Sequence, residues 1–469
     1  MDNVGVDNQF RALPLPAALF PGLDALGYVQ MTPVQATTLG TILAGHDVLA
    51  QARTGTGKTA AFGLGLLARL DASRIATQAL VLCPTRELAD QVSKELRALA
   101  CGLPNVKLTT LCGGIPLRPQ LASLKHAPHV IVGTPGRIEE LLALDEQPLD
   151  LRNVRTLVLD EADRMLDMGF APQVEAIMAR LPAQRQNLLF SATLPEDVRR
   201  MAQRWMQAPQ YLEVAAAEGD TATLEQRCYQ VLDDQRAEAL LSLLLVHKPG
   251  AALVFCNTRK RAQEIADVLL RRRFPAQALH GDLEQREREE VLVRFANLSR
   301  PLLVATDVAA RGLDIKELPL VVGLDLAHDA ETHLHRIGRT ARAGQQGLAL
   351  QLVDPQDALR LAGILGNGVL EASGGLRPLD LSPARAAQGK PSAMATVVID
   401  AGRQDKLRPG DVVGALTGNG GLTATQIGKI DSFATRTYVA VERTQFRNAM
   451  ERLAQGKIKG RSFRVRGLD

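Results

Sequence analysis

Asp47-Val-Leu-Ala50 is a short apolar run, Ala52-Arg-Thr-Gly-Thr-Gly-Lys-Thr59 follows it, and Lys58–Leu70 has helical spacing. Strand, glycine-rich loop and helix in that order make a phosphate-binding loop, here with Ala52 in place of the usual first glycine. Gly55 and Gly57 allow backbone N–H groups to turn inward around phosphate oxygens, and the helix N-terminus adds a favourable dipole. Lys58 is placed to reach the β- and γ-phosphates and Thr59 to ligate Mg²⁺, with Arg53, Thr54 and Thr56 completing the loop.

A loop of this kind needs an acid for the metal and a group to orient water. The strand-like Thr156–Leu159 delivers Asp160-Glu161-Ala162-Asp163 at its C-terminal end, the edge at which open α/β sheets bind ligands. Asp160 is assigned to Mg²⁺, through water, and Glu161 to the attacking water.

Working outward, β-branched or Leu-rich runs alternate with helical stretches: Ala79–Cys83, Val130–Thr134, Thr156–Asp160 and Leu188–Ser191, then Ala251–Cys256, Ala276–His280, Leu302–Thr306 and Leu320–Leu324. That alternation predicts βαβ units and parallel sheets buried on both faces. It lapses at Glu213–Thr223, read as a linker, and again at about 367–391, rich in Gly and Pro. Beyond, strand-like Thr396–Ile399, helix-like Pro409–Thr417, strand-like Ile427–Asp431 and Tyr438–Val441, helix-like Thr444–Gln455 capped by Thr444, and a last strand Ser462–Arg466 give the order β-α-β-β-α-β. The expected division is 1–215, 222–366, a linker at 367–392, and 393–469.

Composition agrees. The chain has 469 residues, 46% of them hydrophobic, which excludes wholesale disorder. No apolar run approaches the ~18 residues that span a bilayer, and the N-terminus reads as no signal peptide. Five cysteines without a CxxC pair predict reduced thiols in a cytoplasmic protein. Residues 393–469 carry 13 Lys and Arg against 7 Asp and Glu, a net of +6, while the remainder nets −2. A basic tail on a near-neutral body predicts a polyanion-binding module.

The motifs together resemble the DEAD-box RNA helicases over about residues 10–350. The resemblance implies two tandem RecA-like parallel-sheet domains followed by an RRM-like βαββαβ domain. Tyr28 and Thr32-Pro-Val-Gln35, with Phe10 upstream, are similar to the family's adenine-reading motif. Pro84-Thr85-Arg86, Gly113-Gly114 and Thr134-Pro135-Gly136-Arg137 resemble its RNA-backbone contacts in the first domain, and Asn257-Thr258, Arg288 and Thr306 those in the second. Ser191-Ala-Thr193 resembles the motif that couples nucleotide state to strand separation, a task shared with His335 and Arg336. Asp314 is expected at the ATP ribose, and Arg339 and Arg342 as arginine fingers. Lys58, Asp160, Glu161, Arg339 and Arg342 therefore form the expected catalytic set, with ATP and Mg²⁺ as cofactors. Because that set is divided between domains, turnover is expected to require their closure, favoured by RNA.

A narrower resemblance covers nearly the whole chain, including Leu407–Gly418 and Gly456-Lys-Ile-Lys-Gly460. It implies a helicase whose tail targets hairpin 92 of 23S ribosomal RNA during assembly of the 50S subunit, and with no oligomer signal in the sequence a monomer is expected. The tail lacks the aromatic pattern with which such folds stack bases, so structured RNA is expected to be held by charge and shape, with Lys457, Lys459 and Arg461 among the contacts.

Overall fold

A computed structural model of the chain describes residues 9–52, 55–146, 148–214, 224–310, 318–340, 347–386, 388–418 and 420–468. The chain divides near residue 219 into two compact units.

The first unit holds a seven-stranded sheet in the order β3-β4-β2-β5-β6-β1-β7. Its strands are β1 Val48–Gln51, β2 Ala79–Leu82, β3 Leu108–Leu111, β4 Val130–Gly133, β5 Thr156–Asp160, β6 Gln186–Ser191 and β7 Gln210–Glu213. All pairs are parallel. Helices cover both faces, so alternate strand residues enter different cores. Ala79 and Val81 pack with Phe62 and Phe190, whereas Leu80 and Leu82 pack with Ile131 and Leu157. This two-sided burial is why the strands read as continuous apolar runs. The covering helix Arg86–Leu99 turns Leu88, Val92, Leu96 and Leu99 inward, and Thr85 caps it by accepting from the Leu88 N–H at 3.3 Å.

The second unit has a seven-stranded parallel sheet in the order β10-β11-β9-β12-β13-β8-β14. Its strands are β8 Leu224–Gln230, β9 Ala252–Cys256, β10 Ala276–Leu279, β11 Leu302–Thr306, β12 Leu320–Gly323, β13 Gly347–Val353 and β14 Leu376–Pro378. The stretch expected as a linker departs from that reading. Leu376–Pro378 adds a strand beside β8, and the turn Ser382–Ala386 buries Ala384 against the helix Arg236–His247. Its glycines and prolines punctuate short elements rather than loosening the chain. Gly389 continues this packing, donating its N–H to the Arg272 carbonyl at 2.8 Å.

The tail has the expected order. Strands β15 Met394–Ile399, β16 Ile427–Ser432, β17 Thr437–Glu442 and β18 Val465–Gly467 form an antiparallel sheet ordered β16-β17-β15-β18, with helices Pro409–Thr417 and Phe446–Gln455. Two local readings change: the second helix starts at Phe446 without a side-chain cap, so Thr444 caps nothing, and the last strand is only three residues long.

The tail sheet buries both faces of its central strands, β15 and β17. Val397, Ile399, Val439 and Val441 face the tail's own helices. Their alternates face the helix Gln285–Ala296 and the turn after it: Val398 and Tyr438 pack with Val293, Phe433 and Leu468. Thr396 Oγ accepts from Asn297 Nδ2 at 2.9 Å and lies 2.7 Å from Ser299 Oγ, all three residues buried. Arg466 donates to Glu290 at 2.7 Å. Tyr438, the aromatic on this face of β17, is 1% exposed. The β15 and β17 face on which RNA-recognition folds stack bases is thus an internal seam.

Candidate active site and nucleic-acid interface

In the first unit, β1 leads into the phosphate-binding loop and β5 ends on Asp160, so both halves of the expected site lie at the C-terminal edge of one sheet. Gly55 and Gly57 have φ of 83° and 93°, the left-handed region that favours glycine. Gly57 is also crowded: a Cβ there would lie 2.5 Å from Gln35 Nε2 and 2.9 Å from Thr32 Oγ. Arg53 and Thr54 lie outside the described residues. Lys58 is 5% exposed, and its Nζ stands 4.0 Å from Asp160 Oδ1. Neither atom has a hydrogen-bond partner, an arrangement that suits phosphate oxygens at Lys58 and a divalent cation at Asp160 and Thr59. Burial pushes the Asp160 carboxyl up to about 7, with Lys58 pulling down and Glu161 adding to the rise. A cation at this point would favour the ionised form.

Glu161 has φ 55° and ψ 54°, a left-handed backbone that costs a non-glycine residue about 1 kcal/mol. It is 2% exposed, and its Oε2 accepts from Arg164 at 2.6 Å. Asp163 ties β5 to the segment after β6. Its N–H donates to Ser191 Oγ at 3.0 Å, while its Oδ2 accepts from the N–H groups of Ala192 and Thr193 and from the Thr193 hydroxyl. Ser191 and Thr193 were expected to couple; Asp163 as their partner and Arg164 as that of Glu161 were not. The signal was present, since both residues lie within three positions of Glu161.

Two of the adenine-motif residues, Thr32 and Gln35, are brought to the same loop. Gln35 has both ends engaged: Oε1 accepts from the Thr32 N–H at 2.8 Å and Nε2 donates to the Gly57 carbonyl at 3.1 Å. Thr32 Oγ donates to the Thr56 carbonyl at 2.7 Å. Gln35 thus braces the phosphate loop in this arrangement rather than presenting an open amide. Phe10 is 2% exposed and stacked near Tyr28, with ring centroids 6.4 Å apart, so its ring serves the core. Tyr28 donates to Glu95 at 3.1 Å.

Three segments far apart in sequence meet at the ends of adjacent strands β2, β3 and β4. Gly113 N–H donates to Thr134 Oγ at 3.2 Å, Arg86 donates to the Gly113 carbonyl, and Arg137 donates to the Ile115 carbonyl at 3.0 Å. Arg86 and Arg137 therefore organise the loops from within. The N-termini of helices Arg86–Leu99 and Pro135–Leu142 open at this edge beside Pro84, Thr85, Gly114 and Gly136. Two helix starts together suit phosphate groups.

In the second unit, Arg336 is a buried hub at 2% exposure. Its Nε and Nη2 donate to the two Asp307 oxygens, both at 2.7 Å. It also donates to the Asp325 carbonyl at 2.5 Å and to Asn257 Oδ1 at 2.8 Å. Asn257 in turn donates to Asp325 Oδ2 from its N–H and to the Leu326 carbonyl from Nδ2. Asn257 and Arg336 are thus absorbed in fixing the ends of β9, β11 and β12. Thr258 caps the helix Arg259–Arg271, Arg288 donates to the Ala309 carbonyl at 2.7 Å, and Thr306 ends β11. Asp325 escaped notice, although it follows an apolar strand as Asp160 does. His335 lies on the helix Ala330–Ile337, and Arg339, 5% exposed, follows it. Asp314 and Arg342 lie outside the described residues.

In the tail, Lys459 pairs with Asp411 at 2.9 Å and donates to the Lys406 carbonyl at 3.1 Å, joining the 456–464 loop to the turn before helix Pro409–Thr417. Lys457, Arg461 and Arg464 on that loop, and Arg403, Lys406 and Arg408 on the turn, are exposed at this end.

Residues 32–201 match the DEAD/DEAH box helicase family, 235–344 the helicase conserved C-terminal domain, and 396–467 the DbpA RNA binding domain. The chain is 51% identical over 454 residues to the ATP-dependent RNA helicase DbpA of Escherichia coli K12, covering 97% of this chain and 98% of that one. The chain belongs to the DEAD-box ATP-dependent RNA helicases. It is also 43% identical over 355 residues to the helicase CshA of Bacillus cereus, covering 76% of this chain and 67% of CshA. Among solved structures, S. cerevisiae Dbp5 bound to RNA and ADP BeF3 matches with a TM-score of 0.68 at 28% identity, over 80% of this chain and 96% of that one. As a DEAD-box enzyme the chain is an ATP hydrolase. The motifs that carry the family lie on both parallel sheets, and the RNA-binding tail is a third sheet. Among the described residues, no helix is long and apolar enough to cross a membrane.

Proposed function

We propose that this DEAD-box helicase separates short RNA duplexes locally, is directed by its tail to hairpin 92 of 23S ribosomal RNA, and acts as a cytoplasmic monomer on 50S assembly intermediates. The observation that carries this reading is the tail's division of surfaces: the sheet face is spent on the seam, and the basic groups gather at the 403–408 and 456–464 end. Such an end suits a folded RNA held by phosphate contacts and shape. The resemblance to DbpA through the tail supports the ribosomal target.

The working parts follow the proposed division 1–215, 222–366 and 393–469. Lys58 and the loop amides would hold the ATP phosphates, with Thr59 and Asp160 holding Mg²⁺, which supplies charge neutralisation. Glu161 would orient the attacking water. Arg339 and Arg342 would complete the charge from the second domain, with Asp314 at the ribose, so hydrolysis would need domain closure. The ends of β2, β3 and β4, with Thr258, Arg288 and Thr306, would take the RNA backbone. Asp163, Ser191 and Thr193 would connect the nucleotide site to strand separation.

The test is the ATPase rate with the hairpin 92 fragment against a scrambled RNA of equal length at one salt concentration. Strong stimulation by the fragment alone supports the target. Equal stimulation by both refutes it and leaves a helicase with a general RNA anchor.

A further inference from the structure

The buried pair of Glu161 and Arg164 has no part in phosphate or metal binding as described above, yet it sits against the reaction site. Arg164 Nη1 meets Glu161 Oε2 at 2.6 Å, and both side chains are 3% exposed. The spacing is i, i+3 across the start of helix Ala162–Asp167. A buried ion pair is weak support for stability, because desolvation offsets most of its attraction. Here it also lies beside a second buried carboxylate, Asp160. What the pair does provide is direction: a guanidinium fixed by the helix holds one carboxylate oxygen and stops the group from turning.

Arg164 is itself placed from the other side. Its N–H donates to Asp163 Oδ1 at 3.0 Å, and the opposite Asp163 oxygen is held by Ala192 and Thr193. Thr193, Asp163, Arg164 and Glu161 therefore form one contiguous line of contacts within the first unit, ending on the carboxylate read as orienting water.

We propose that Arg164 is the positioning residue for Glu161 in ATP hydrolysis: it fixes the carboxylate's rotation and supplies its countercharge while touching neither ATP nor metal. The proposal rests on the assignment of Glu161 to the attacking water. Its test compares full-length Arg164→Gln, Arg164→Lys, Glu161→Gln and the Glu161→Gln/Arg164→Gln double variant, with ribosomal RNA as activator. Arg164→Gln is expected to lower kcat about tenfold or more, with KM for ATP within about twofold of wild type, because binding groups are untouched. Arg164→Lys, which restores the charge without the planar fork, should recover part of kcat. In the Glu161→Gln background the Arg164→Gln change should cost nothing further, since the carboxylate it serves is gone. The double variant places two neutral amides side by side, so it also guards against misfolding caused by an unpaired buried charge.

Independent, multiplying losses in the double variant would overturn the proposal, as would a wild-type kcat in Arg164→Gln. Wild-type turnover in Glu161→Gln would instead remove the underlying assignment of Glu161, whatever Arg164 does.

Discussion

Asp163 holds Thr193 twice through one oxygen: Oδ2 accepts the Thr193 N–H at 2.9 Å and its hydroxyl at 3.0 Å. The same oxygen takes the Ala192 N–H at 3.1 Å, so the segment after β6 is drawn onto the end of β5. Thr193→Val removes one of the three contacts and keeps the shape. The expected result is near-normal RNA-stimulated ATPase with fewer strands separated per ATP, read by measuring both on one duplex. Asp163→Asn turns an acceptor toward three donors less favourably and should cost about 1–3 kcal/mol in thermal or urea unfolding.

Gly57 supports a sharper prediction. Its φ of 93° is strained for any side chain, and a Cβ would overlap Gln35 Nε2 at 2.5 Å. Gly57→Ala should weaken ATP binding about tenfold or more, leaving nucleotide-free RNA affinity unchanged. Adding Gln35→Ala relieves the overlap but not the backbone strain, so fluorescent-nucleotide titration should show only partial recovery.

His333 predicts an acid limit for the second unit. It is 6% exposed and 3.1 Å from Gln226 Oε1, and burial with the nearby Arg336 pushes its imidazole down from 6.5 to about 4. The unfolded chain therefore binds this proton at a higher pH than the fold does. The associated stability is intact above 6.5 and is lost as pH falls from 6.5 toward 4, by about 1.4 kcal/mol per pH unit. His333→Gln should flatten that part of the full chain's urea-midpoint profile.

The seam of the tail can be opened with one methyl-for-hydroxyl exchange. Thr396→Val leaves Asn297 and Ser299 buried without their shared partner, a loss of about 1–3 kcal/mol. Protease should then cut residues 388–392 faster, while the tail's affinity for RNA stays as in wild type. Unchanged cutting would show that the seam does not depend on this contact.

Lys457 and Arg461 are expected to act through phosphate charge. Replacing either with Ala should weaken binding to the hairpin fragment and lower the salt slope by about 1. Lys459→Ala should differ: it breaks the tie to Asp411 and Lys406, so the tail's melting temperature should fall as well.

Much of this was legible from residue order. Thr156–Asp160, Leu302–Thr306 and Pro409–Thr417 have the bounds their spacing predicts, because long apolar runs and a proline at the first turn are local signals. What escaped depends on distant partners. The linker reading at 367–392 failed because three residues, Leu376–Pro378, suffice for a strand once β8 offers an edge. Gln35, Arg86 and Asn257 were expected to reach ligands and Arg336 to couple, and each is engaged by neighbouring backbone or side chains. Residue type revealed their capacity to donate; only the fold decides who receives. Asp325 went unseen because its value lies in what converges on it: Arg236 at 2.5 Å, Arg261 at 3.3 Å and the Asn257 N–H.

Because Val398, Tyr438 and Thr396 are clamped to the Gln285–Ala296 helix and its following turn, the tail is a bracket and not a leash. A leash samples a volume that grows with its length, and its catch is a matter of local concentration. A bracket measures. The span from the Lys457–Arg464 rim to the end of β11 would then be set by the seam, so extra residues inserted at 388–392 should leave the choice of duplex unchanged. An RNA would then qualify by having its anchor and its weak helix the right distance apart, and the enzyme would read architecture with a ruler built from one buried threonine and a tyrosine.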